Sequence, residues 1–497
     1  MNIDIYKLRL SHYFKIKYYE KYENNKTYYY SNNKPFPSVT IPENTERLTF
    51  YEFFDQPIVQ NTIKDNIYEI TFGILFNQYI GKNVLPSKLK KLIFGDSFNQ
   101  HIEKDVLPQS LISITFGTNY STEINENVLP KKLNDITFFC CVKNILKPNI
   151  LPYGLQSITI FNLTMSLKDI LPNTVRKLII KNVYIELKPG DLPDFIEILY
   201  ICDQFNQVIE PDILPKNLKK LHLSYDFNQV ISIGVLPIGL EELYFGVNFN
   251  QILEPNVLPY GLKRLDLNHY FNHKITQGVL PETLEFLSFG CDFNTSIDVG
   301  VLPNSLIYLS FSWGFNQIIK EGVLPESLKY IEFGKSFNQE LLPNVLPKNL
   351  LMIKFGLDFN KNLKKDVLPK NIVFVDFDNK INNFLQETFD KIPYHIKYNS
   401  FYTKLYIKPH IKSVSMHIFN KHHDMNDIVK TYIGGYQVIQ HDSINFLDIS
   451  FIKIIDKQYW IGNVILKELI QKIFEPSRLI RISTKNNISM EELLDMY

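Results

Sequence analysis

A repeat solenoid, built from about sixteen coils of 22 residues with a parallel β-sheet along one face, is the fold that this 497-residue chain predicts. Three observations carry the expectation. The first is a ruler of prolines: Pro86, Pro108, Pro130 and Pro152 stand 22 residues apart, and the step returns from Pro193 through Pro215, Pro237, Pro259, Pro281, Pro303, Pro325 and Pro347 to Pro369. The second is an apolar pattern locked to that ruler, Leu89-x-x-Leu92-x-Phe94 and its copies. The third is the recurrent Phe-Asn pair. A period of 20–29 residues marks units that cannot bury a core alone and stack on their neighbours to do so.

Within one coil, Leu89, Leu92 and Phe94 read as a corner followed by a short strand with alternate residues inward. Gly95 closes the strand, and its equivalents are Gly117, Gly246, Gly290, Gly334 and Gly356, or elsewhere Ser224, Asn268, Ser312 and Asp378. These residue types suit a sharp corner, often with positive φ. Phe98 and Ile102 add interior, Val106-Leu107 close the coil, and Pro108 opens the next corner without needing a partner for an N–H it lacks. Walking back by 22 from Pro86 reaches Lys64 and Pro42, so the array is expected over residues 41–396. An amino-terminal segment (1–40) precedes it and a carboxy-terminal α+β domain or cap (397–497) follows.

Asn99 recurs after Phe as Asn77, Asn206, Asn228, Asn250, Asn272, Asn294, Asn316, Asn338 and Asn360. An unpaired buried amide costs roughly 1–3 kcal/mol, so a structural ladder is expected in which each Asn bonds the backbone of its own and the adjacent coil. The wording Phe-Asn-Gln-x-Ile followed by Val-Leu-Pro resembles the FNIP repeat, a leucine-rich-repeat-like family of slime moulds and giant viruses. The resemblance spans most of the chain and implies a curved solenoid whose sheet face binds other proteins. Some members carry an amino-terminal F-box that links them to ubiquitin ligases. No convincing F-box is legible in residues 1–40, where Lys15–Tyr30 is dominated by Lys, Tyr and Asn.

If packing fixes the inward positions, information sits on the outward ones. Five residues after the proline position runs a column that is polar early, with Lys91, Ser113, Asp135, Ser157 and Lys177. It ends in Phe286, Tyr308, Tyr330, Met352 and Phe374. Five large side chains in consecutive coils predict an exposed apolar ridge on the concave face, with Trp313 at its rim. Either an external protein ligand or this chain's own carboxy-terminal segment covers such a ridge. A second candidate group is Tyr200, His222 and Tyr244, two residues further along their strands. The alternating charges Lys219-Lys220, Glu241-Glu242, Lys263-Arg264 and Glu285 read as cross-strand pairs.

Other classes find little support. With 53 Lys+Arg against 52 Asp+Glu, no global field favours nucleic acid or anionic membrane. No stretch is long and apolar enough to span a bilayer, and the first ten residues lack the apolar run of a signal peptide. Cys140, Cys141, Cys202 and Cys291 have neither disulfide-framework nor zinc spacing, so buried free thiols in a reducing, intracellular and cytoplasmic setting are expected. The Cys140-Cys141 pair is placed at a coil corner, in a stretch where the Phe-Asn signature lapses and two units shorten. In the carboxy-terminal part, Phe401–Ile407 and Ile411–Phe419 read as strands, Gly434-Gly435 as a turn, Asn463–Phe474 as a helix and Ser489–Glu492 as a capping box. The cluster His417, His422, His423 and Asp424 lacks metal-site spacing. No metal, cofactor or catalytic motif is assigned. The reading is a monomeric, non-enzymatic scaffold for an unidentified protein ligand, with a ubiquitin-ligase substrate adaptor or an activity in residues 397–497 as alternatives.

Overall fold

A computed structural model of the chain describes residues 26–372, apart from 38, 39, 362, 365 and 371. Beyond them it describes the backbone of five further strands. The chain divides into two compact units, residues 1–249 and 250–497. In the first, eleven strands pair in parallel and in sequence order: β1 (Thr27–Tyr30), β2 (Arg47–Phe50), β3 (Glu69–Thr71), β4 (Lys91–Ile93), β5 (Ser113–Phe116), β6 (Asp135–Cys141), β7 (Ser157–Leu163), β8 (Lys177–Val183), β9 (Ile198–Ile201), β10 (Lys220–His222) and β11 (Glu242–Tyr244). The second unit continues the pattern with β12 (Arg264–Asp266), β13 (Phe286–Ser288), β14 (Tyr308–Ser310), β15 (Tyr330–Glu332), β16 (Met352–Phe355), β17 (Phe374–Phe377), β18 (His395–Asn399) and β19 (Val414–His417). A separate antiparallel pair, β20 (Tyr432–Ile433) and β21 (Tyr436–Gln437), flanks Gly434-Gly435. The predicted helix over 463–474, the capping box, the strand over 401–407 and the histidine cluster's side chains lie outside the described residues.

Three tight turns bend each coil. At the proline corner the Leu89 N–H donates to the Pro86 carbonyl at 3.1 Å, so proline supplies only the acceptor. At the next corner the Phe98 N–H reaches the Gly95 carbonyl at 3.3 Å. At the third, the Val106 N–H donates to the Glu103 carbonyl at 3.3 Å. The residue inside that last turn has positive φ in coil after coil: Asn83, Asp105, Asn127, Asn149, Asp212, Asn256, Asn344 and Asp366, alternating with Gly190, Gly234, Gly278, Gly300 and Gly322. Only Asn, Asp and Gly hold this place, the residues for which a left-handed conformation is cheap.

That finding narrows the expected positive φ at the Gly95 position to Asn268, where φ is 53°. Gly95, Gly117, Gly246, Gly290, Gly334 and Gly356 are not left-handed. Each is glycine because a Cβ there would overlap the carbonyl group of the residue one coil earlier: Gly73 for Gly95, Ser312 for Gly334. Backbone rides directly on backbone at this corner.

Behind the sheet, two columns of rings fill the core. In the first unit Phe50, Phe72, Phe94, Phe116 and Phe138 form one column, and Phe54, Phe76, Phe98 and Tyr120 the other. The second unit repeats them as Phe289, Phe311, Phe333 and Phe355 beside Phe271, Phe293, Phe315, Phe337 and Phe359. Phe94 and Phe98 of one coil stack at 3.9 Å, and each stacks on its copy in the preceding coil at 5.7 and 6.1 Å. Tyr120 stands where the column otherwise holds Phe. Its buried hydroxyl has no hydrogen-bond partner, and burial pushes its phenol well above the ordinary range.

The irregular stretch departs differently from the expectation. Strands β6, β7 and β8 run for seven residues, carrying the chain past the position where other coils turn. Cys140 is therefore inside a strand and buried, rather than at a corner, and Cys141 closes the strand, exposed. The register shifts between Phe138 and Cys141 to absorb the difference.

The two kinds of glycine separate by mutation. Gly334→Ala drives a methyl group into the Ser312 carbonyl and is expected to destabilise the protein by more than about 3 kcal/mol. Gly322→Asn matches what Asn344 and Asn256 already do and should stay within about 0.5 kcal/mol of the parent. Urea unfolding of the two variants checks both; equal losses would contradict the division.

Candidate functional site

The Asn residues form ladders along the corner that follows Phe98, two short ones in the first unit and a longer one in the second. The Asn77 Oδ1 accepts from the Asn99 N–H at 2.9 Å, and the Asn99 Oδ1 accepts from the Ser121 N–H at 2.8 Å. Asn206 receives Asn228 likewise at 2.8 Å. In the second unit Asn250, Asn272, Asn294, Asn316 and Asn338 each receive the N–H of the Asn 22 residues later, ending at Asn360. The bonds run from each side chain to the next coil's backbone. The setting differs from the buried amide inferred above: every one of these residues is exposed or half-buried. The backbone N–H, rather than the amide, is the group that would lack a partner.

A second amide, which the sequence reading passed over, braces the ladder. Gln100 Nε2 donates to the Asn77 carbonyl and Oδ1 at 2.9 and 3.1 Å, and Gln317 and Gln339 do the same to Asn294 and Asn316. The signal was present: Gln follows Asn in most copies of the motif.

On the sheet's outward face the first unit carries an aromatic stack. The column reads Thr115, Thr137, Thr159 and Ile179, then changes to Tyr200, His222 and Tyr244 in register on β9, β10 and β11. The His222 ring lies 4.2 Å from Tyr200 and 3.9 Å from Tyr244, near-parallel to both at 13° and 6°. Lys177 Nζ sits 5.4 Å over Tyr200 and Lys220 Nζ 5.1 Å over Tyr244, both within cation–π range. The Tyr244 hydroxyl donates to Glu242, which also pairs with Lys220 at 3.1 Å. All three residues are half-buried, the His222 Nε2 itself is buried, and the rings form one stacked block with charges beside it. Of the expected cross-strand pairs, Lys220–Glu242 forms at 3.1 Å, and Lys219 pairs instead with Glu197, one coil earlier, at 2.8 Å.

The second unit's ridge is built otherwise than as an exposed stripe. Tyr308 and Tyr330 stack at 4.7 Å and 2°, and Phe286 leans on Tyr308 at 5.9 Å. Yet Phe286, Tyr330 and Met352 are only 8%, 5% and 9% exposed, values that belong to a core. Ile307, Tyr308 and Leu351 pack around Tyr330 and Met352. Glu332, on the same face of β15 as Tyr330, is bonded to Lys354 Nζ at 2.7 Å and lies within 3.5 Å of the Tyr308 hydroxyl. Phe374 pairs in register with Met352, though its side chain lies outside the described residues. Trp313 is not part of this cluster; it is 64% exposed, with Lys335 Nζ 5.4 Å over its ring.

The thiols are mixed rather than uniformly buried: Cys140 and Cys202 are buried, Cys291 is half-buried and Cys141 is exposed. Burial pushes the Cys140 thiol up to about 12 and raises that of Cys202. No group of three or more His, Cys, Asp or Glu able to hold a metal occurs among the described residues.

Short parallel strands, a fixed 22-residue step and stacked apolar columns define a leucine-rich-repeat-like solenoid. The sequence profile of the FNIP repeat matches ten windows, over residues 54–141 and 186–380, leaving out residues 142–185 with β7 and β8. The chain belongs to the FNIP repeat family. Among solved structures it resembles CroV588, a circular leucine-rich-repeat protein of a giant virus, at 36% identity and a TM-score of 0.62, over 78% of this chain and 58% of that one. The chain thus spans little more than half the length of that relative. YopM from Yersinia enterocolitica matches at 17% identity over 76% of this chain and 84% of its own, with a TM-score of 0.35. A search of curated proteins finds no match.

Two measurements check this geometry. Asn316→Ala removes the acceptor of the Asn338 N–H and one of the two that Gln339 uses, and is expected to cost roughly 1–3 kcal/mol of stability despite the exposure of the site. Because the raised Cys140 pKa keeps that sulfur a protonated, unreactive thiol at every pH below about 12, alkylation of the native protein at pH 8 should label Cys141 and spare Cys140. Mass spectrometry of the labelled peptide distinguishes the two positions, and labelling of Cys140 would show that β6 opens.

Proposed function

We propose that this chain is a non-catalytic interaction scaffold that holds a protein ligand against the outward face of its sheet, centred on Tyr200, His222 and Tyr244. The observation that carries the reading is the change in one outward column from Thr and Ile to three stacked rings. Packing of the core asks nothing of this column, because its side chains point away from the rings behind the sheet. Cross-strand stacking contributes about 0.2–1 kcal/mol per pair, which a Thr–Thr pair also supplies in part, so stability alone is a weak reason for the change.

The block has the properties of an interface anchor: large ring area at little conformational cost, with Lys177, Lys220 and Glu242 fixed beside it. Leucine-rich-repeat-like folds commonly serve as protein-binding scaffolds, which supports the same reading. Among the described residues no helix is long and apolar enough to cross a membrane.

Affinity capture from cell extract tests the proposal. Proteins retained by the parent chain should fall at least tenfold with His222→Ala/Tyr244→Ala, while the urea midpoint moves little. An unchanged set of retained proteins would remove this face from consideration.

A further inference from the structure

One lysine of the first unit sits where a charged side chain is costly. Lys181, on β8, is only 4% exposed, and the other buried polar residues of the described chain, Thr45 and Ser224, are uncharged. Among the described residues no carboxylate forms an ion pair with Lys181. A buried ammonium without a counter-charge opposes folding, so packing alone is a poor reason for a lysine here.

Its partner is a thiol. Ile180 of β8 stands opposite Ile201 of β9, and the Cys202 N–H donates to the Ile180 carbonyl at 2.8 Å. Lys181 and Cys202 are the next residues in that register, on neighbouring strands about 4.8 Å apart. The Lys181 side chain donates a hydrogen bond to the Cys202 sulfur, and Cys202 is itself only 6% exposed. Burial raises the Cys202 thiol. The Lys181 charge opposes that rise, the Asp203 charge adds to it, and the Lys181 hydrogen bond opposes it again. Lysine thus favours the thiolate, the reactive form, in a place that otherwise disfavours it. Cys140, equally closed off in β6, has no lysine among the groups that shift it.

We propose that Lys181 and Cys202 are a modification site at which hydrogen peroxide creates a covalent sulfenamide bond between the coils of β8 and β9. First the Cys202 thiolate attacks one peroxide oxygen: an S–O bond forms, the O–O bond breaks, and the departing hydroxide takes a proton from the Lys181 ammonium to leave as water. Sulfur loses two electrons and the peroxide gains them, so one peroxide is consumed and no further oxidant is needed. The Lys181 amine then attacks the sulfenic sulfur: an S–N bond forms, the S–O bond breaks, and the hydroxyl leaves with an amine proton as a second water. The product carries no charge, so the step removes the buried ammonium. The bond staples two coils at the junction where the shortened proline step, Pro172 to Pro193, gives way to the regular one. It does not depend on the partner face proposed above.

Peptide mapping of the full-length chain tests the assignment. The folded protein is treated with hydrogen peroxide, digested after glutamate without reductant, and analysed by mass spectrometry. Cleavage at Glu186 and Glu197 separates the two residues, so only a covalent bond keeps their peptides together. The treated parent should yield a Lys181–Cys202 linked pair, lighter than the sum of its peptides by two hydrogens and released by dithiothreitol. The pair should be absent from untreated protein and from Lys181→Arg and Cys202→Ser, while Cys140 in the same digest stays an unmodified thiol. Urea unfolding supplies a second readout: peroxide should raise the midpoint of the parent and of neither variant. Cys202 left untouched, taken to its sulfinic acid with Lys181 free, or joined to another residue would each overturn the proposal. So would oxidation of Cys140 to the same extent, since the lysine would then confer nothing.

Discussion

Everything in this fold depends on how closely one coil's backbone lies on the next. At the Gly95 corner the approach leaves no room for a Cβ, and the carbonyl of the preceding coil occupies the place a side chain would take. That contact fixes the separation at which the strands pair, the phenylalanine rings stack and the Asn side chains reach the following backbone. A larger step would open the ring columns to voids, whose lining loses dispersion contacts outright. The 22-residue period follows from the same condition, because an added or lost residue in one coil displaces every column in it. Where the step shortens, between Pro152 and Pro193, strands lengthen, the Phe-Asn motif is absent and the register shifts. The family profile skips the same stretch.

The proline ruler and the Leu-x-x-Leu-x-Phe pattern were enough to read the coil, its strand and its inward residues. Leu89, Leu92, Phe94, Phe98 and Ile102 are all buried as that pattern requires. Periodicity shows which residues share a column, and it is silent on what each column meets. Glycine at position 95 and glycine at position 322 look alike in sequence, yet one answers a steric contact with another coil and the other a backbone dihedral. Substitution separates them only in part: the second position alternates Gly with Asn and Asp, while the first also takes Ser at 224 and 312 and Asn at 268. Asn99 was legible as structural but misplaced in burial, because its neighbours Phe98 and Ile102 suggested an interior while the turn carries the intervening residues outward. The column pattern placed the ridge but not its burial, since residue type on an outward column does not tell whether that column is covered.

A periodic molecule also separates its own signals. Columns that repeat in every coil, such as Phe94 and Asn99, hold the array together and say nothing about a particular partner. Columns that change partway along carry specific information, and two do so on the sheet face. In one, Tyr200, His222 and Tyr244 stay half-buried among fixed charges. In the other, Tyr330 and Met352 are closed off. Residue type alone did not separate them, since both are aromatic columns. Degree of burial at equal stacking did.

The Asn ladder has a direction. Each ladder side chain accepts from a coil that comes later in the chain, whereas the strand backbones also donate forward, as the Phe94 N–H does to the Thr115 carbonyl. On the ribosome the earlier coil emerges first, which means that every newly made Asn N–H meets a receptor already in place. Along the ladder, then, each acceptor is synthesised about 22 residues before its donor.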